Sequence, residues 1–182
     1  MKALLPSLFL LFLGSALSAS AEPDCAALSG DEAVLPGEFL PSSWKSEKLP
    51  DKGDIGRSLE ELDYGDELPV SLGMDLNNDG KEELFLTSPG GRSCGNAGCP
   101  YILLENGSMK LIGKFFGHLA VLDERVNKYR IIQSFSRLRV EATNLDTWVF
   151  DGKEFRQVSH AILDPCGFEQ WGRRIRKAAS GK

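Results

Sequence analysis

The sequence predicts a mainly β domain, an antiparallel meander of about eight short strands behind a loop-rich N-terminal segment, with one or two short helices. Three observations predict it. From Val70 onward short apolar runs alternate with turn signals. Two of those turns are Asn106-Gly107 and Asp151-Gly152, dipeptides that tolerate positive φ and suit tight hairpins. No segment between the turns leaves room for the helices of an α/β fold.

Residues 1–21 read as a secretory signal peptide. Lys2 is followed by the apolar stretch 3–13, too short to span a bilayer comfortably, and Ala19-Ser20-Ala21 forms an Ala-x-Ala cleavage site. Cleavage is expected after Ala21, leaving 22–182 as a single β-rich domain with no transmembrane segment and a periplasmic or secreted location. Cys25 stands too far from the cleavage point to be a lipidation site. The chain carries 26 Asp and Glu against 21 Lys and Arg, a net charge of −5, which disfavours a nucleic-acid partner.

From 22 to 69 the chain is rich in Pro, Gly, Ser and acid, with Phe39, Leu40, Trp44 and Leu49 scattered through it. This is expected to be a loop-rich lead-in, with a helix only at 55–62, where Leu59 and Leu62 stand three apart. The strand meander is expected over 70–160. Strands at 70–74 and 83–87 flank an acidic loop, 101–105 and 109–114 flank Asn106-Gly107, and 147–150 and 154–158 flank Asp151-Gly152. A further hairpin joins 119–122 to 129–132 around Arg125, Val126 and Asn127. Residues 161–182 form a basic tail. Phe168, Trp171 and Ile175, with Arg173, Arg174, Arg176 and Lys177, are compatible with a short amphipathic helix, but a solvated, frayed terminus is expected.

All four cysteines fall in the exported part, where disulfides persist. Cys94 and Cys99 enclose the flexible Gly95-Asn96-Ala97-Gly98 and suit a local ring, which leaves Cys25 to pair with Cys166 near the other end. A zinc site made from these cysteines with His118 or His160 is the competing reading, but no Cys-x-x-Cys spacing supports it.

The segment Asp75-Leu76-Asn77-Asn78-Asp79-Gly80-Lys81-Glu82-Glu83 places oxygen-bearing groups at alternate positions with glycine sixth. A hard cation such as Ca²⁺ takes six to eight oxygens, and a loop of this pattern curls to supply them. Asp75, Asn77, Asp79 and Glu83 would give side-chain oxygens and Lys81 its carbonyl. Three acids on one small loop repel each other unless a cation sits among them. The plain alternative is an Asx-turn hairpin, which Asn and Asp before Gly favour without any metal. An EF-hand needs Glu at the twelfth position, which here is Leu86. The loop resembles the calcium loop of FG-GAP and VCBS extracellular β repeats, whose Asp-x-Asn/Asp-x-Asp-Gly-x-x-Asp/Glu pattern sits between two strands. That resemblance implies calcium as cofactor. It rests on a single copy, so a propeller of several repeats is not expected.

The Gly-rich stretch 88–100, containing Arg92, Asn96 and the Cys94 and Cys99 pair, is expected to be a protruding loop held in one shape. An acidic loop, a strand and a Gly/Cys loop ending in Gly98-Cys99-Pro100 together resemble small periplasmic proteins of Gram-negative bacteria. Gly91-Arg92-Ser93-Cys94-Gly95 matches Gly-x-Ser-x-Gly, but Asn96, Gly98 and Pro100 forbid the helix a nucleophile elbow requires. His118 and His160 sit in no catalytic frame. Asn106-Gly107-Ser108 is a glycosylation sequon that the Asn-Gly turn already explains.

Two function classes follow. One is a calcium-stabilised binding, inhibitor or immunity-type module that meets a periplasmic protein partner through Arg92 and Asn96. The other is a small calcium-assisted hydrolase with a cleft lined by acids such as Asp66, Glu67, Asp123 or Asp164. A purely structural envelope protein is the third reading.

Overall fold

The computed structural model describes residues 25, 34–40, 44–46, 56, 59, 69–88 and 94–176. Among these residues ten strands form one continuous sheet: β1 (Leu35–Phe39), β2 (Lys45–Ser46), β3 (Val70–Met74), β4 (Glu83–Thr87), β5 (Cys99–Leu104), β6 (Leu111–Val126), β7 (Tyr129–Arg139), β8 (Ala142–Phe150), β9 (Phe155–Leu163) and β10 (Ile175–Arg176). The helix α1 (Pro165–Arg174) stands between β9 and β10. The expected mainly β, antiparallel meander is what the chain forms. The expected signal peptide, and all of the 55–62 helix except Gly56 and Leu59, lie outside the described residues. Those two are helical, and Leu59 is buried.

The meander runs β2-β3-β4-β5-β6-β7-β8-β9, and β6 is its spine. The first half of β6 pairs with β5, from Leu104↔Leu111 to Cys99↔Gly117. Its second half pairs with β7 from His118↔Phe135 onward and, on its other edge, with β1 at 120–122. The handover falls at Gly117, whose φ is +119°. A Cβ there would lie 2.3 Å from the Phe135 carbonyl oxygen, and a Cβ on Gly98 would lie 2.3 Å from the Gly117 Cα. Only glycine fits either position, and the two let β5, β6 and β7 approach at the crease.

Creased there, the two halves of the sheet pack on each other. Phe115 in the first half lies 5.3 Å from Trp148 and 5.7 Å from Phe155 in the second. Leu76, Phe85, Leu103 and Ile112 from one side, with Val121, Ile132 and Phe150 from the other, complete this central core. Among the described residues two smaller cores lie elsewhere, one where Leu59 meets Leu86, Ile102 and Leu104, the other under α1.

Two expectations are corrected. The lead-in contains β1, which pairs antiparallel with β6 and parallel with β10, and the short β2 on the edge of β3. The C-terminal segment is not frayed through Arg176. Asp164 caps α1 by accepting from the Gly167 N–H at 2.7 Å, and the Cys25–Cys166 disulfide tethers its first turn. Trp171 is buried and donates to Gln133 Oε1 at 2.8 Å, Phe168 packs on Phe135, and the chain continues into β10. A terminus tied by a covalent bond, an indole and a strand pairing does not fray.

The β7–β8 hairpin was missed because its tip, Val140 and Glu141, contains no turn-favouring residue. The β6–β7 turn centres on Asn127 and Lys128, both at positive φ (50° and 76°), the conformation of a type I′ turn.

The crease gives the first prediction. Gly117→Ala combines strain at positive φ with a backbone collision and should cost about 3 kcal/mol, lowering the thermal midpoint by roughly 6–12 °C. Gly152→Ala, also at positive φ (104°) but with open space around it, should cost only about 1 kcal/mol. Thermal and urea unfolding of both variants measures the difference, and equal effects would remove the crease as the constraint.

Candidate functional site

The residues that the sequence singles out fall at two places on the fold, and β4 runs from one toward the other. The first is the acidic loop between β3 and β4. Asn78 (φ 62°) and Gly80 (φ 83°) supply its sharp turns. Asp75 accepts from the Asn78 N–H at 2.6 Å and the Gly80 N–H at 3.0 Å, and Asp79 accepts from the Lys81 N–H at 2.8 Å. Leu76 is fully buried in the central core, with its N–H donating to Glu83 Oε2 at 2.9 Å. Its carbonyl accepts from the Arg130 N–H at 2.9 Å and from the Arg125 guanidinium. Leu76, inserted in this way, pins the loop to the β6–β7 hairpin.

Asn77 occupies the middle of this arrangement. Its Oδ1 accepts from the Asp79 N–H at 2.9 Å, while its Nδ2 donates to Asp79 Oδ2 and Glu83 Oε1, each at 3.2 Å, and to the Tyr129 hydroxyl at 3.3 Å. An amide nitrogen thus sits between two carboxylates. Among the described residues no group of three or more His, Cys, Asp or Glu side chains is placed to hold a metal ion. The residue types are those a hard cation takes: Asp75, Asn77, Asp79 and Glu83 with the Lys81 carbonyl would offer oxygen atoms from one turn, and Asp79 and Glu83 both face the Asn77 amide nitrogen.

Glu83 is 1% exposed. Burial pushes its carboxyl above the ordinary value of 4.5; the Leu76 N–H opposes the rise, and repulsion from Asp79 and Asp75 adds to it.

The second place is the disulfide loop between β4 and β5. Cys94 and Cys99 are bonded, with Cα atoms 4.1 Å apart. Inside the ring, Gly95 and Gly98 exchange two backbone hydrogen bonds of 2.9 Å. Thr87 at the end of β4 donates from its hydroxyl to the Pro100 carbonyl at 2.7 Å, fastening the ring's exit to the sheet. Asn96 is exposed at the tip and lines a pocket with His118, Phe135 and Phe168. Arg92 and Ser93 lie outside the described residues.

The other sequence candidates are dispersed. Asp123 pairs with buried Arg130 at 2.6 Å, Asp164 caps α1, and Asp66 and Glu67 lie outside the described residues. His160 pairs with Asp146 at 2.6 Å on the β8–β9 surface. His118 is exposed on β6 and stacks on Phe135 with ring centroids 4.9 Å apart. Phe135 and Phe168 were not singled out as site residues, because their apolar character gave no cue beyond packing. Comparison with protein-family models, curated proteins and solved structures finds no match. Among the described residues no helix is long and apolar enough to cross a membrane.

The buried acid sets a pH dependence. A carboxyl whose folded pKa exceeds its unfolded value contributes stability that is full below the unfolded value and lost as pH rises through the folded one. In chelator-treated buffer, raising the pH from about 4 to about 7 should therefore cost the parent stability that Glu83→Gln does not lose. Urea unfolding across that range measures the gap, and parallel pH profiles for parent and variant would contradict it.

Proposed function

We propose that the chain is an exported, calcium-stabilised β domain of the periplasm or the secreted space, working as a recognition module of the binding, inhibitor or immunity type. The observation that carries the reading is the disulfide ring, covalently closed and hydrogen-bonded across itself, which holds Asn96 at an exposed tip before any partner arrives. Pre-organisation of this kind lowers the ordering cost of binding. Two disulfides in one small domain suit an oxidising compartment. The contact residues on this reading are Asn96 and Arg92, the latter able to pair bidentately with a carboxylate of a protein partner.

Calcium enters through Asp75, Asn77, Asp79, the Lys81 carbonyl and Glu83. When bound it would neutralise the repulsion that Asp75 and Asp79 impose on Glu83. Its part here is structural: Leu76 stands inside this loop and in the central core, so fixing the loop fixes the attachment of β3 and β4 to the β6–β7 hairpin.

An ion that binds only the folded chain stabilises it in proportion to the logarithm of its excess over Kd. With a Kd of roughly 0.1 to 1 mM, typical of extracellular modules, about 10 mM Ca²⁺ should add about 1.4 to 2.7 kcal/mol. Asp75→Ala and Asp79→Ala should abolish that rise in thermal midpoint, and an unchanged midpoint in the parent would refute calcium stabilisation. Recognition is tested separately by affinity capture from an envelope extract. A partner retained by the parent should be lost by the Cys94→Ser, Cys99→Ser double variant with its circular dichroism intact, whereas equal capture would remove the ring from the contact surface.

A further inference from the structure

Among the described residues, α1 covers only part of the outer face of the second half-sheet. Alternation along β6 turns Phe115, Leu119 and Val121 toward the central core and leaves His118 and Ala120 on the opposite face. Register carries that face across the sheet, since His118 pairs with Phe135 and Arg137 with Thr143. Trp171 covers Phe135 toward the middle of the sheet. Beyond the first turn of the helix no described residue covers the face, and a pocket of about 290 Å³ lies there between Pro165 and Phe168 of α1, the tip of the β7–β8 hairpin at Val140, and Asn96 of the disulfide ring. That volume is at the small end of sites that hold small ligands, roughly 300–1,000 Å³.

Its polar groups are unspent. The Asn96 amide, the His118 imidazole, the Arg137 guanidinium and the Thr143 hydroxyl all line it. None of the four makes a side-chain hydrogen bond or an ion pair among the described residues, although Asn144, Asp146 and Gln133 on the same strands all do. Among the described residues the lining holds a guanidinium and no carboxylate, on a chain whose net charge is −5. Around these donors the walls are ring and aliphatic surface: His118 stacked on Phe135, Phe168 5.0 Å from Phe135, and Val140, which is 80% exposed.

We infer that this pocket binds a small aromatic carboxylate, its ring against the His118, Phe135 and Phe168 surface and its carboxylate on Arg137. Charge complementarity selects the anion, because a guanidinium with no partner among the described residues offers two parallel N–H donors to a carboxylate. The walls select the ring, since flat aromatic faces gain from offset or edge contact with another ring beyond the area they bury. Both disulfides hold the site: Cys94–Cys99 shapes the ring that carries Asn96, and Cys25–Cys166 anchors the helical turn that carries Pro165 and Phe168. The inference goes beyond the recognition reading, and calcium response or partner capture can fail without touching it.

The test is a titration of the intact mature protein, disulfides formed, followed by amide and side-chain NMR shifts. The probes are 3-phenylpropanoate and indole-3-acetate, their neutral amides, and hexanoate. The aromatic acids should give saturable shifts at Asn96, His118, Phe135 and Thr143, and each amide should bind at least about tenfold more weakly. Arg137→Gln, a change at an exposed and unpaired side chain, should weaken the acids to the level of the amides and leave the amides unchanged. That pattern is one a general loss of structure would not produce. No saturable shift at these residues up to about 10 mM probe overturns the inference, as does equal binding of acid and amide. Binding of hexanoate as tight as that of the aromatic acids overturns the choice of ring.

Discussion

The rest of the structure depends on one close approach, in which the backbones of Gly98, Gly117 and the Phe135 carbonyl meet without room for a single Cβ. β6 is 16 residues long, and without a crease such a strand would carry its neighbours out as one open, twisted sheet with both faces wet. Bending at Gly117 lets its first half serve β5 and its second half serve β7 and β1, so that Phe115 reaches Trp148 and Phe155 across the interior. The central core exists because the sheet is folded on itself. The same approach brings the disulfide ring against the outer face, so one steric fact sets both the core and the geometry of the pocket.

Strands bounded by strong turn chemistry were legible in the sequence. Val70–Met74 and Glu83–Thr87 announce themselves because acidic turn residues stand between two apolar runs, and the Asn106-Gly107 and Asp151-Gly152 turns fall between strands as expected. The length of β6 was hidden, since Gly113, Lys114 and Gly117 break its apolar run and only the paired strands show that the backbone continues. β1 was hidden for a related reason. Leu35-Pro36-Gly37-Glu38-Phe39 has the composition of a loop, and it is a strand because β6 and β10 offer it partners. Gly37 sits there because a Cβ would meet the Val121 carbonyl at 2.6 Å. Composition reports local preference, and these two strands are decided by partners far away in sequence.

Of the candidate sites, the acidic loop was visible as a pattern, but its attachment was not. Nothing local says that Leu76 is the residue that holds the loop to the protein, with its side chain in the core and its carbonyl shared by Arg125 and Arg130. Arg130 itself is buried, bonded to the carbonyls of Val121 and Leu122 and paired with Asp123 and Glu38, so its charge is spent inside the protein. The pocket was less legible still. Asn96 pointed to it through the disulfide ring, whereas Phe135, Arg137 and Phe168 come from a hairpin without turn residues and a tail expected to fray.

That hidden part is also where the fold leaves chemistry unused. Most charged and polar groups on the second half-sheet have internal work: Arg130 on carbonyls and acids, Trp171 on Gln133, Trp148 on Ser134, His160 on Asp146. A donor engaged in this way has given up its hydrogen-bonding capacity to the fold and has little to offer a ligand. The four donors around the pocket keep theirs, next to rings that α1 covers on one side only. The disulfides explain how such an open face persists. Each restricts the unfolded chain, by about 5 kcal/mol in the chain-entropy account for the bond that spans 141 positions. Stability drawn from the unfolded state does not require the pocket walls to close on one another. A fold held in that way can keep aromatic surface and a guanidinium facing outward, which a domain relying on burial alone would tend to cover.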